Sequence, residues 1–188
     1  MKKSNLTSQS EKDDLNIGDW VVEPTIGICQ IQGIRSLKVG SVEDDFFVFY
    51  ATNNTNVLVP RSQLTRRGVR RPMTLEMVKS LFRQLKQPTK PDRQEARMQY
   101  NVYREILLSG DPERISKMLR DLHSLELNND LKGKEREMKE QAFNFLRDEI
   151  AWVRNEEDPK KAADDINESL KQMYRKKVEK EQKEKKKK

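Results

Sequence analysis

The side chains that most often carry out chemistry are scarce in this sequence. Cys29 is the only cysteine and His123 the only histidine among 188 residues. This pair cannot form a zinc finger or zinc ribbon, and a mechanism that needs two histidines is excluded. The acidic pairs Glu156-Glu157 and Asp164-Asp165 fall at predicted helix ends, which favours hydration or a helix-dipole contact over acid/base catalysis. With no glycine-rich phosphate loop and no nucleophile elbow, the sequence predicts a protein that is not an enzyme and uses neither metal nor cofactor.

The strongest chemical signal is basic charge, which is concentrated in two segments. The chain has 38 Lys and Arg against 31 Asp and Glu. Residues 61–90 hold nine basic side chains and one acidic, and residues 175–188 hold nine and three. Such stripes are typical of surfaces that bind a polyanion. The arginines of 61–90 lie among apolar residues, which indicates that structure positions them, whereas a lysine-rich tail can equally serve only solubility.

Residues 16–60 follow a β pattern. Apolar or alternating runs at 20–22, 26–32, 46–50 and 57–59 are separated by turn residues such as Pro24 and Asn54. Four or five short strands in about 45 residues, with no helical period, predict a small SH3- or Tudor-like barrel.

After Pro60 the pattern becomes helical. Thr74 and Asp111 are candidate N-caps, and Pro88 and Pro91 mark a linker. Helices are predicted at about 75–86, 94–108, 112–127, 134–154 and from 159 into the tail. The expected fold class is therefore α+β, a small N-terminal β-barrel followed by an all-α helical domain and a basic tail. The expected divisions are a disordered start (1–15), the β domain (16–72), a connecting helix and linker (73–91), the helical domain (92–175) and the Lys-rich tail (176–188).

The tail is expected to remain a frayed helix end or coil. Beyond Arg175 it holds one apolar residue, Val178, so it has little to bury against the entropy of ordering. No apolar run approaches the length of a membrane span, and the N-terminus has no secretory pattern. With a single cysteine, this favours the cytoplasm.

An ordered series of motifs resembles one known family. The series begins with Gly18-Asp19-Trp20-Val21-Val22-Glu23-Pro24-Thr25-Ile26-Gly27, and continues with Val59-Pro60, Gly68-Val69-Arg70, Tyr100, Ser109-Gly110-Asp111, Arg120-Asp121-Leu122 and Leu131 to Met138. These landmarks, in this order, resemble the CarD/CdnL family over about residues 14–155. The first of them also resembles the RNA-polymerase-interacting domain of transcription-repair coupling factors.

The resemblance implies a function. Family members are bacterial transcription regulators that pair a strand edge of the Tudor-like domain with the β subunit of RNA polymerase. Their helical domain contacts double-stranded promoter DNA near the upstream edge of the melted region and stabilises the open complex. For this chain it implies RNA polymerase and promoter DNA as partners, no membrane, no small-molecule substrate, and a cytoplasmic, nucleoid-associated location.

The resemblance also assigns site residues. At the edge that binds polymerase these residues are Asn56 and Leu58. Some relatives carry an arginine at the position of Leu58. The contact with polymerase is therefore either more apolar here or uses Arg61.

On the helical domain, Arg136 matches a basic position that contacts DNA in the family, and Lys132 and Lys134 flank it. The tryptophan that family members commonly place four residues before Tyr100, as a wedge between bases, is Ala96 here. Met98 is the candidate replacement, with Arg97 beside it. Since no base-reading constellation is visible, DNA binding is expected to tolerate any sequence and to be sensitive to salt.

Two alternatives remain open at this point. One is a stand-alone, sequence-tolerant DNA- or RNA-binding protein with weak or no polymerase contact. The absence of the tryptophan and the leucine at position 58 leave this alternative open. The other is an adaptor whose helices dock another protein. Promoter choice, activation against repression and oligomeric state have no signature in the sequence.

Overall fold

A computed structural model describes residues 15–39, 42–52, 54–91 and 96–185, without the side chains of residues 39, 42, 96–98, 181, 184 and 185. The fold consists of two compact units. The β unit runs up to Pro72 and includes Leu108–Gly110, and the helical unit comprises Met73–Leu107 and the chain from Asp111 onward. This arrangement confirms the α+β class, whereas the specific likeness to a Tudor barrel stays a prediction.

The β unit is a curled four-stranded antiparallel sheet. Its strands are β1 (Trp20–Glu23), β2 (Gly27–Val39), β3 (Val42–Ala51) and β4 (Asn56–Pro60), in the order β1-β2-β3-β4. β2 and β3 are longer than predicted because their outer halves mix polar residues with exposed apolar ones such as Ile34 and Leu37, which gives no regular apolar alternation in the sequence. One polar pair there is Ser36 with Asp45, whose side chains share a hydrogen bond of 2.6 Å.

One face of the sheet forms the core of the β unit. Its fully buried members are Val21, Cys29, Ile31, Phe47, Phe49, Ala51, Val59 and Val69. Gly68, in the chain that follows β4, has a φ of +68°. A Cβ at this position would lie 2.6 Å from the carbonyl oxygen of Ser109. A side chain is therefore excluded at Gly68 by both backbone conformation and space.

A buried carboxylate joins three parts of the β unit. Glu23, at the end of β1, is 1% exposed. One of its oxygens accepts hydrogen bonds of 3.0 and 2.9 Å from Nε and Nη2 of Arg67. The other accepts from the backbone N–H groups of Thr25 (2.8 Å) and Ile26 (3.1 Å). Glu23 thereby holds the β1–β2 turn and the chain after β4 against the end of β1.

The described part of the helical unit contains five helices, as the periodicity predicted. They are α1 (Leu75–Leu85), α2 (Ala96–Ser109), α3 (Pro112–Leu127), α4 (Gly133–Val153) and α5 (Lys160–Lys185). A 3-10 turn, Arg61–Gln63, follows β4. The predicted caps are confirmed: Thr74 accepts from the N–H of Met77 and Asp111 from that of Glu113. The predicted start of α2, at residue 94, lies outside the described residues.

The helical core is aliphatic and draws on four of these helices. Its fully buried members include Leu85, Ile115, Leu119, Leu122, Leu146, Ile150, Ile166 and Leu170. Glu149, 1% exposed, accepts a 2.8 Å hydrogen bond from the N–H of Met73, at the start of the unit. None of the helices in the described part of the chain is long and apolar enough to span a membrane.

The sequence-based expectation for the tail is wrong. α5 continues to Lys185 rather than dissolving near Arg175. Lys177 is only 8% exposed, and its ammonium donates a 2.8 Å hydrogen bond to the buried hydroxyl of Ser124. The aliphatic stem of a lysine can be buried like an apolar side chain when its charged end finds a partner, and counting only apolar residue types misses this.

Glu23→Ala should lower the free energy of unfolding of the β unit by about 2–4 kcal/mol, because it leaves Arg67 and two backbone N–H groups without their acceptor. The matched control is Asp19→Asn, which breaks the more exposed pair with Arg71 and should cost under about 1 kcal/mol. Chemical denaturation of the full-length variants measures both values. Equal losses would show that the Glu23 network adds nothing beyond a surface ion pair.

Truncation of the chain should show where the tail stops contributing to stability. Removal of the residues after Lys180 should leave stability within about 0.5 kcal/mol of the intact chain. Removal of the residues after Arg175 should lower it by about 1–2 kcal/mol, since Lys177 is then lost from Ser124. Thermal melts of the two truncated chains give the comparison, and identical melting temperatures would contradict a structural role for Lys177.

Candidate functional sites

The two outer edges of the sheet differ in how they are covered. Along β1, the N–H of Val22 donates to the carbonyl of Arg70 (2.8 Å) and the N–H of Arg70 to that of Val22 (3.2 Å). Arg70 thus occupies the outer edge of β1. Along β4 no strand of the described chain pairs with the outer edge. The backbone of β4 is therefore the edge available for pairing with another chain.

The polymerase-binding residues predicted from the sequence lie along this edge. Asn56 and Leu58 are exposed, Leu58 by 42%, and Arg61 is exposed in the 3-10 turn that follows. The alternate residues, Val57 and Val59, pair with Phe49 and Phe47 over the core. The register therefore fixes which side chains of β4 a partner would meet.

Three arginines of the basic segment are used inside the β unit. Arg67 pairs with Glu23, Arg70 Nε donates to the carbonyl of Gly110 (2.6 Å), and Arg71 Nη2 lies 3.0 Å from Asp19 Oδ2. A third of the nine basic side chains in this segment are therefore engaged within the fold. A count of charges along the sequence cannot distinguish an arginine that pairs internally from one that is free.

The predicted DNA-binding residues of the helical unit surround the start of α4. Lys132, Lys134 and Arg136 are exposed and form no ion pair within the described residues. Glu135, which is buried, accepts a 2.8 Å hydrogen bond from the N–H of Lys132 and so fixes the turn into the helix. The turn thus presents three exposed cations beside the positive end of the helix dipole, with the exposed carboxylates of Asp130 and Glu137 in the same segment.

A cation–π contact links this turn to α2. The ammonium of Lys134 lies 5.2 Å from the ring centre of Tyr100. Tyr100 stands three residues after Arg97 on the same helix, so α2 and the start of α4 meet one helical turn from Arg97. The side chains of Arg97 and Met98 lie outside the described residues. The contact between Lys134 and Tyr100 follows no spacing rule in the sequence, because the two residues belong to different helices.

The two candidate nucleophiles are poorly suited to chemistry. Burial, followed by the charge of Glu23, raises the pKa of the Cys29 thiol to about 12. Burial, followed by the charge of Lys139, lowers the pKa of His123 below its ordinary value, although Glu126 acts in the opposite direction. No group of three side chains in the described part of the molecule could hold a metal ion.

Comparison with known families covers both units. Residues 15–73 match the CarD-like/TRCF RID domain, and residues 80–167 match the CarD C-terminal domain. The second match begins within α1 and ends within α5. These domains are regulatory and occur in transcription regulators that interact with RNA polymerase. With both domains present in the family's order, this chain belongs to the CarD/CdnL family.

Proposed function

We propose that this protein is a bacterial transcription regulator that binds the β subunit of RNA polymerase through β4 and promoter DNA through α2 and the start of α4. It stabilises the open promoter complex and acts in the cytoplasm, at the nucleoid. The observation that carries the proposal is the uncovered outer edge of β4, with Asn56 and Leu58 exposed along it.

The polymerase contact works by strand addition. An uncovered strand edge offers backbone N–H and C=O groups to a partner strand, which supplies affinity with little demand on side-chain type. Because the edge of β1 is already bonded to Arg70, strand addition has one available side in the described sheet. Leu58 gives this joint an apolar contact, and Arg61, at the end of the strand, gives it a positive charge.

The DNA contact works through phosphate. Exposed cations at a helix start attract phosphate oxygens, and contacts to phosphate position a protein on the duplex without selecting a sequence. Tyr100 holds Lys134 beside α2, so the cations at the start of α4 lie next to the helix that carries Arg97.

Widening of the melted region requires an apolar side chain that can enter between bases. Ala96 is too small to unstack a base step, and Met98, in the first turn of α2, is the residue to which we assign this role. This assignment completes the proposed mechanism: the β unit anchors the protein on polymerase and the helical unit holds the upstream edge of the bubble.

The second candidate function is a stand-alone nucleic-acid-binding protein, favoured by the exposed cations of α4 and by the alanine at position 96. Capture of RNA polymerase from cells with and without nuclease separates the two. Nuclease-resistant capture is expected under the proposed function, whereas nuclease-sensitive capture would indicate that nucleic acid alone links the two proteins.

Leu58→Glu should weaken binding to polymerase by about tenfold, because it places a charge at the strand joint. Leu58 is exposed and its replacement should leave the fold intact. Binding of the full-length variant to purified polymerase is the measurement, and Ile17→Glu is the matched control, since Ile17 is 61% exposed and precedes β1 at the opposite edge. Unchanged affinity for Leu58→Glu, or an equal loss for Ile17→Glu, would contradict pairing through β4.

Lys134→Ala combined with Arg136→Ala should lower the slope of log affinity against log salt by about 1.8, about 0.9 for each lost phosphate contact. All duplex sequences should be weakened to a similar extent. Titration of several duplexes at three salt concentrations measures this effect. Lys160→Ala combined with Lys171→Ala removes two exposed charges from α5 and should leave the slope nearly unchanged. A loss confined to one duplex sequence would point instead to base readout.

A further inference from the structure

A polar cleft lies between α1 and α3, on elements that the proposed polymerase and DNA surfaces do not use. It has a volume of about 520 Å³, within the range of small-molecule sites. Arg83 and Gln87 line it from the side of α1, and Lys117 and Arg120 line it from α3. With Glu113 as the carboxylate among its lining residues, the cleft carries a net charge of about +2.

Arg120 is the buried cation of this cleft. It is 8% exposed, and its Nη1 donates a 3.2 Å hydrogen bond to the carbonyl of Gln84. Its Nε has no hydrogen-bond partner. Asp121 Oδ1 lies 3.7 Å from that nitrogen, too far for a hydrogen bond, and accepts instead from the hydroxyl of Thr89. The Asp121 carboxylate thus compensates the charge of Arg120 as an ion pair, while the Nε donor of Arg120 lacks an acceptor, which is costly in a buried group.

The other two cations stand exposed. Arg83 and Lys117 make no hydrogen bond and no ion pair with any residue that the structure describes. Lys117 and Arg120 lie three residues apart on one face of α3, and Arg83 comes from the facing side of α1. The cleft thus has one buried cation and two exposed ones, of which Arg83 also interacts electrostatically with Glu76.

We propose that this cleft binds the phosphate or pyrophosphate group of a small phosphorylated molecule. Guanidinium groups bind phosphate oxygens through paired N–H donors, which suits both arginines of the cleft. A small anion can enter and reach Arg120. The backbone of a duplex is convex, so it reaches the exposed Arg83 and Lys117 but not a side chain that is 8% exposed.

The test is calorimetric titration of the full-length protein with sodium pyrophosphate, and then with inorganic phosphate, in the absence of DNA and polymerase. Pyrophosphate should bind at one saturable site. Arg83→Gln combined with Lys117→Gln should weaken this binding by about tenfold or more, since two charge-assisted contacts are lost. Both residues are exposed, so the variant should fold, and its melting temperature checks this.

The matched control is Lys160→Gln combined with Lys171→Gln, which removes the same charge from α5 and should change the affinity less than about twofold. Absence of saturable binding up to about 10 mM pyrophosphate, or an equal loss in the control, would overturn the proposal.

A parallel titration with a short duplex distinguishes the source of phosphate. If the Arg83 and Lys117 variant loses affinity for the duplex but not for pyrophosphate, the cleft is a DNA contact and the small-molecule proposal fails. Because the pyrophosphate titration contains no polymerase or DNA, its failure leaves the proposed function intact.

Discussion

The buried carboxylate of Glu23 is the constraint on which the binding edge of the β unit depends. It holds Arg67 and the β1–β2 turn together through hydrogen bonds from both segments. Three residues after Arg67, the chain runs alongside β1. There the N–H and the carbonyl of Arg70 both form hydrogen bonds with the backbone of Val22. The outer edge of β1 is thereby bonded at Val22 from within the unit. The edge of β4 is left open, and the proposed pairing with polymerase follows from this asymmetry.

The basic residues of the two units differ in how far they are paired within the fold. In the β unit, Arg67, Arg70 and Arg71 are engaged by Glu23, the carbonyl of Gly110 and Asp19. In the helical unit, Arg120 bonds to the carbonyl of Gln84, whereas the cations at the start of α4 and the exposed Lys117 of the cleft form no ion pair within the described residues. An uncompensated positive charge on a folded surface attracts anions, so the helical unit is where phosphate is expected to bind.

Local patterns in the sequence were sufficient to predict the class of fold, the five helices and the four apolar runs that lie within the strands. The caps at Thr74 and Asp111 were predictable because they depend on neighbouring residues alone. The outer halves of β2 and β3 were not, since polar and exposed apolar residues follow one another there without a regular alternation. Nor were the partners of Arg67, Lys134 and Lys177, because each is separated from its partner by tens of residues and depends on the packing of whole elements. The residues of the polymerase edge and of the DNA surface came from family resemblance, and their assignment stays a prediction.

The central claim, that β4 is the strand through which the protein pairs with polymerase, is tested most directly by hydrogen exchange of backbone amides in the complex. The full-length protein would be compared alone and bound to purified polymerase, with peptides covering β1 and β4 followed in time. The account predicts slower exchange within Asn56–Val59 on binding and no change within Trp20–Glu23, whose outer edge is already bonded. Slower exchange confined to β1, or no change in β4 at saturating polymerase, would contradict it.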